Sequence, residues 1–228
     1  MRISIVTLFP SMFAGPFDLS ILKRAQAEKL VQINFFNVRD FATDHYKSVD
    51  GHPYGGGAGM ILRVDVVDAA ITHIRRMYTS KSTITILLDP QGKTYTQSKA
   101  QQLTAIEHLI LVCGHYEGID ERIRTLVDEE ISIGDYILTG GEIPAMVLVD
   151  TIVRLLPGVL HKESATKNES FSDNLLEYPQ YTKPHVYNSL PVPPVLMGGN
   201  HKKIAEWNTH QALIRTKKRR SDLLKVTS

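Results

Sequence analysis

The residues best suited to chemistry fall in three short turns. They are Asp89-Pro90-Gln91-Gly92, Gly114-His115-Tyr116-Glu117-Gly118 and Gly134-Asp135-Tyr136, the last followed by Ile137, Leu138, Thr139, Gly140 and Gly141. Each follows an apolar, strand-like run: Ile84–Leu88, Leu109–Cys113 and Ile131–Ile133. Glycine at a strand end lets the backbone approach a ligand closely. Turns of this kind, converging from one sheet, would line a pocket with main-chain donors and acceptors. Taken alone, Asp89–Gly92 reads as a β-turn, because Pro and Gly suit turns.

Other groups carry weaker signals. Tyr54-Gly55-Gly56-Gly57-Ala58-Gly59-Met60 is glycine-dense but lacks the Gly-Lys-Ser/Thr ending of a Walker A loop and has no obvious strand before it. It is either a flexible turn or a binding element. Glu117, Asp120 and Glu121 admit two readings, a metal or acid/base cluster and carboxylates complementing a helix N-terminus. Arg154, amid apolar neighbours late in a helical stretch, fits a snorkelling or helix-end residue. The nine histidines form no HExxH or HxxxH pair, and no GxSxG segment is present. A structural zinc site and a hydrolase triad are therefore not expected.

The elements that must position these turns alternate between strand and helix over residues 1–160. Strands are expected at Ile3–Phe9, Val31–Asn37, Ile84–Leu88, Leu109–Cys113 and Ile131–Ile133. Helices are expected at Leu19–Leu30, Val64–Tyr78, Ser98–His108, Glu121–Val127 and Ile143–Leu155, with Pro144 tolerated in a first turn. This alternation implies an α/β fold with a mostly parallel sheet covered on both faces, whose ligands gather beyond the carboxyl ends of the strands. Pro157-Gly158 ends the pattern. Residues 161–174 are polar and aperiodic, an expected linker. A smaller, mainly helical region at 175–228 follows, with helices over Ile204–Lys217 and in the last few residues.

Composition sets the outer limits. The chain has 228 residues, 43% hydrophobic and 22% charged, ordinary values for a globular protein. One cysteine, Cys113, excludes an internal disulfide framework. No apolar run approaches the ~18 residues of a membrane span, and no signal-peptide pattern opens the sequence. A cytoplasmic protein without membrane partners is expected. Charge is uneven. Residues 1–160 hold 15 Lys and Arg against 18 Asp and Glu, and residues 161–228 hold 11 against 6. The basic C-terminal segment, with Arg215 and Lys217-Lys218-Arg219-Arg220, suits either a solvated helix face or attraction to a phosphate backbone.

Several blocks together carry a more specific signal: ISIVTLFPSMF, PYGGGAGM, DPQG, CGHYEGIDER, SIGDYILTGGE, RLLPGVL, LLEYPQYTKP and VPPVLMGGNH. In number, order and spacing they resemble the bacterial tRNA (guanine-37-N1)-methyltransferases, a family of the SPOUT superfamily. The resemblance covers nearly the whole chain. It implies a SPOUT-type sheet over residues 1–160 threaded into a deep trefoil knot, a rare exception to the general absence of knots. It also implies a linker at 161–174 and a tRNA-binding domain at 175–228.

The implied reaction moves a methyl group from S-adenosylmethionine to N1 of guanine 37, beside the anticodon. By resemblance, the cofactor walls are Asp89, Pro90, Gln91 and Gly92, then Gly114, Tyr116, Glu117 and Gly118, then Ile133, Gly134, Asp135, Tyr136, Ile137, Leu138, Gly140 and Gly141. Ile133, Tyr136, Ile137 and Leu138 can offer adenine both apolar faces and main-chain partners. The cofactor carries no phosphate, which agrees with the lack of a Walker A lysine. The family aspartate that acts as general base precedes Ser-Phe, and here Glu169 precedes Ser170-Phe171. Glutamate keeps the carboxylate and adds a methylene. Asp173 is a second candidate. Arg154 would stabilise negative charge on guanine O6 as N1 loses its proton.

The family further implies a homodimer, in which Glu169 serves the pocket of the other subunit. It implies that the basic C-terminal domain grips the anticodon stem-loop, and that magnesium is required at a site the sequence does not reveal. Two alternatives stay open. One is a SPOUT methyltransferase for another RNA position. The other is a non-catalytic tRNA-binding protein that has lost its base.

Overall fold

The computed structural model describes residues 1–160 and 169–224. In chain order the first unit contains β1 (Arg2–Thr7), α1 (Ser20–Ala27), β2 (Gln32–Asn37), β3 (Asp50–Gly51), β4 (Ile61–Leu62) and α2 (Val64–Met77). It continues with β5 (Thr83–Thr94), α3 (Gln97–Leu103), β6 (His108–Cys113), β7 (Glu129–Ser132) and α4 (Glu142–Val153). Five strands form one sheet in the order β2-β1-β6-β5-β7, and every pairing within it is parallel. β3 and β4 form a separate antiparallel pair.

Burial explains why these segments become strands. β6 is buried at every position, as expected for a central parallel strand covered on both faces. Alternate residues feed two cores. Ile3, Ile5, Ile86, Leu88, Leu109 and Leu111 pack with Leu22 of α1, Leu103 of α3, and Leu148 and Ile152 of α4. Val6, Leu87, Ile110 and Val112 pack with Val67, Ile71 and Ile74 of α2. The result is the expected three-layer α/β arrangement.

Several expected elements come out differently, among them α1, which ends at Ala27 where Leu30 was expected. The helix expected over Ser98–His108 ends at Leu103, and His108 opens β6. The sheet captures it: the His108 amide donates to Ser82 O, while the neighbouring Glu107 carbonyl accepts from the Arg2 amide. The expected helix at Glu121–Val127 is a 3-10 turn over Glu121–Leu126. The strand expected to stop at Leu88 instead runs to Thr94, with its pairing to β7 broken between Leu88 and Lys93.

The chain divides into two compact units, Met1–His161 and Lys162–Ser228. Of the expected linker, residues 161–168 lie outside the described residues. Residues 169–174 belong to the second unit and form turns, with the Phe171 amide donating to Leu175 O and the Ser172 amide to Glu169 O. This unit then has β8 (Val186–Tyr187) paired with β9 (Leu190–Pro191), α5 (Pro194–Met197) and α6 (His201–Arg219). α6 starts three residues earlier than the periodicity indicated, because the Asn200 side chain caps it by accepting from the Lys203 amide. Ser221–Leu224 forms a 3-10 turn, and residues 225–228 lie outside the described residues.

Candidate active site

The site is built where the parallel strands end. β5 and β7 pair at Leu88 and Ile131, and Ile131 is also opposite Lys93. The residues between, Asp89–Gly92, are thrown out of the ladder as a bulge. Asp89 stabilises it by accepting a 2.8 Å hydrogen bond from the Gln91 amide. Gly92 lets the chain return: a Cβ there would lie 2.5 Å from the backbone of Glu130 and Ile131. The segment is thus neither a simple β-turn nor a free loop.

The second wall continues β6. Gly114–Gly118 is tied to the β4 region by the Glu117 amide donating to Met60 O and the Leu62 amide donating to Gly118 O. The end of the glycine-dense loop is therefore anchored beside this wall. The third wall follows β7. The Ser132 hydroxyl bridges to the Gly134 backbone, and the Tyr136 hydroxyl donates to Ile133 O.

Returning toward α4, this chain segment crosses the end of β6. Gly140 bridges to His115, and the Gly141 amide donates to Gly114 O at 2.8 Å. The approach is close enough that a Cβ on Gly141 would sit 2.6 Å from Cys113 Cα.

These walls enclose one cleft of about 240 Å³. That lies near the lower end of small-molecule sites, typically ~300–1,000 Å³. Asp89, Pro90, Gln91, Gly114, Tyr116, Glu117, Gly118, Ile133, Gly134, Tyr136, Ile137, Leu138, Gly140 and Gly141 all line it. Gly92 and Asp135 do not. The first packs against β7 backbone, and the second faces solvent. His115 and Thr139, from the same turns, also line the cleft, as do Leu88, Ile119, Ile131, Ser132 and Pro144, which the resemblance does not include among the cofactor walls. They lie within the same glycine-bounded segments or next to them, so adjacency was the available signal.

Beneath the cleft the electrostatics are unusual. Glu142 is 2% exposed. Its Oε1 accepts from the Thr7 hydroxyl at 2.7 Å, and its Oε2 lies 4.0 Å from His115 Nδ1. Burial, reinforced by Glu142, pushes the Cys113 thiol well above its ordinary range, which leaves it an inert core group. Asp120 resolves toward its structural reading. It caps the 3-10 turn by accepting from the Arg122 amide, and its pairing with the Arg122 side chain lowers its pKa. Among the described residues no group of three or more His, Cys, Asp or Glu is arranged to hold a metal ion.

Neither expected catalytic residue is among those that line the cleft. Arg154 caps the C-terminus of α4, half-buried, its amide donating to Asp150 O. Glu169 is in the second unit, where it lines a cavity of about 260 Å³ with Asp173, Leu176 and Asn208.

Fold and cleft together define an α/β protein with a small-molecule cleft at the carboxyl ends of a parallel sheet. Residues 1–226 match the family of tRNA (guanine-1)-methyltransferases, TrmD, and the chain belongs to that family. The protein named tRNA (guanine-N(1)-)-methyltransferase in Carboxydothermus hydrogenoformans is 55% identical, over 99% of this chain and 88% of its own. The one in Geobacillus kaustophilus is 54% identical, over 98% of this chain and 91% of its own. The one in Clostridioides difficile is 50% identical, over 100% of this chain and 99% of its own.

Proposed function

We propose that this protein methylates N1 of guanine 37 in tRNA, with S-adenosylmethionine as the methyl donor. The observation that carries this reading is the convergence of Asp89–Gln91, Gly114–Gly118 and Ile133–Leu138 on one cleft, in a chain of this family. The chemistry of the lining fits the donor. Main-chain groups can pair with the adenine edge, Ile133, Ile137 and Leu138 offer apolar contact, and no lysine waits for a phosphate. When bound, S-adenosylmethionine supplies a methyl group activated by its positively charged sulfur.

The protein's own groups manage the proton and the charge. Glu169 accepts the N1 proton of the target guanine. Arg154 places a permanent positive charge toward the developing charge on O6. We place these residues across the interface of a homodimer, where the Glu169 of one subunit serves the cleft of the other. The exposed apolar side chains of Ile143 and Val147 on α4, with Met12 on the adjoining 3-10 turn Pro10–Phe13 and Phe9 just before it, support such an interface. The implied magnesium finds no matching donor set among the described residues.

The deep trefoil knot belongs to this proposal as well. The bridge between His115 and Gly140 supports a path in which the two cleft segments pass one another. In the second unit, Lys202, Lys203, Lys217, Lys218 and Arg219 are exposed along α6 and suit the phosphates of an anticodon stem. A tRNA substrate places the work in the cytoplasm. Among the described residues no helix is long and apolar enough to cross a membrane.

The test is transfer of labelled methyl from S-adenosylmethionine to a tRNA transcript, with Glu169→Ala run alongside and donor binding measured by calorimetry. Transfer by the wild type, lost in the variant while donor binding persists, supports the reading. Donor binding without transfer to any tRNA contradicts it.

A further inference from the structure

Arg124 is in none of the turns that line the cleft, yet its guanidinium reaches both the first wall, at Asp89, and β7, at Glu130. Nη2 lies 3.5 Å from Asp89 Oδ1, and Nη1 pairs with Glu130 Oε2. Nε pairs with Glu121 at 3.0 Å. The side chains of Arg124 and Asp89 are only 15% and 10% exposed, whereas that of Glu121 is 83% exposed. The Glu121 pair is therefore screened and contributes little. The pairs with Asp89 and Glu130 sit largely out of water, where such contacts are stronger.

The geometry turns these pairs into a spacing device. Asp89 Oδ1 also holds the Gln91 amide and so shapes the first wall. Glu130 directly precedes Ile131, where β7 runs into the third wall. Between them the chain passes so tightly that Gly92 has no room for a Cβ against the Glu130–Ile131 backbone. Arg124 itself is fixed from below, because its neighbour Ile123 is fully buried against the α2 side of the sheet. A planar, forked guanidinium can engage two carboxylates at once in fixed directions, which an ammonium does less well.

We propose that Arg124 is a positioning residue. It clasps the Asp89–Gln91 wall to β7 and thereby sets the affinity of the cleft for the nucleoside part of the methyl donor. This rests on the functional reading above. Removing the guanidinium leaves Asp89 and Glu130 facing one another as like charges, which drives the two walls apart. Chemistry at saturating donor is not expected to need Arg124, since Arg124 is not itself among the residues that line the cleft.

The test compares the wild type with Arg124→Lys and Arg124→Ala. Hydrogen exchange at the Gln91 amide is followed in the free protein, and S-adenosylmethionine is titrated by calorimetry. The inference predicts faster Gln91 exchange in both variants. It predicts a donor Kd raised about tenfold in Arg124→Ala and less in Arg124→Lys, corresponding to loss of one charge-assisted contact pair. It also predicts kcat at saturating donor near that of the wild type. Arg124→Lys keeps the charge and carries the test if Arg124→Ala does not fold. A lowered Tm with unchanged Gln91 exchange and unchanged donor Kd would overturn the inference, leaving Arg124 a purely stabilising group. If the wild type itself does not bind the donor, the functional reading falls, and Gln91 exchange still decides whether Arg124 holds the wall.

Discussion

Thr7, at the end of β1, donates a 2.7 Å hydrogen bond to Glu142, the first residue of α4 and 135 positions further along the chain. Both residues are buried, so the bond joins the first strand to the helix that leaves the cleft. Losing it strands a buried carboxylate without its donor. Thr7→Val, similar in shape, should destabilise the protein by about 1–3 kcal/mol, whereas Thr7→Ser should recover most of that. Urea unfolding of the three proteins checks this, and equal midpoints would contradict it.

Gly92→Ala and Gly141→Ala should both damage the cleft, because each added Cβ meets backbone rather than a movable side chain. The distances are 2.5 Å to Glu130 and Ile131 in the first case and 2.6 Å to Cys113 in the second. The expected outcome is a lowered Tm together with loss of measurable S-adenosylmethionine binding. A control at Gly199, where a Cβ meets nothing but φ is +66°, separates backbone strain from collision. It should cost some stability and leave donor binding intact.

His108 makes stability depend on mild acid. It is 1% exposed, with Nε2 2.9 Å from the Ser4 hydroxyl. Burial first, and the charge of Arg2 second, lower its pKa from 6.5 to about 4. The unfolded chain takes up a proton as pH falls below its ordinary value, while the folded protein does not until about 4. Stability is therefore complete above pH ~6.5 and falls progressively toward pH ~4, by an amount on the order of 3 kcal/mol. Denaturant midpoints of the wild type and His108→Asn across this window test the sign. The wild type should lose more stability than the variant as pH falls.

Glu169 and Arg154 should separate chemistry from donor binding. Neither lines the cleft, so Glu169→Ala and Arg154→Ala should keep the donor Kd while lowering kcat by about 100-fold or more. Glu169→Asp shortens the arm but keeps the carboxylate, and should retain part of the rate. Rates unchanged in Glu169→Ala would move the proton acceptor elsewhere, with Asp173 the first candidate.

The sheet was legible because its strands are short, nearly unbroken apolar runs that end at turns. Leu- and Ile-rich runs such as Ile84–Leu88 and Leu109–Cys113 run into turns that contain glycine, which leaves little else for them to be. The cleft was legible for a related reason, since the glycines that permit close backbone approach are also the residues that mark strand ends. What periodicity could not show was set by long-range contacts. His108 reads as the last residue of a helix until the amide pairing with Ser82 draws it into β6. Asp89–Gly92 reads as a turn until the backbone of β7 closes against Gly92. Glu142 draws no notice in the sequence, because nothing local to it announces Thr7. The short pairs β3–β4 and β8–β9 have two residues per strand, too few for any periodic signal.

The most direct test of the central claim is mass-spectrometric mapping of the methylated nucleoside in two tRNA transcripts that differ only at position 37. Both are incubated with the protein and S-adenosylmethionine. The account predicts 1-methylguanine at position 37 of the guanine-bearing transcript and no methylation of the other. Methyl groups at another position, or equal transfer to both transcripts, would contradict it.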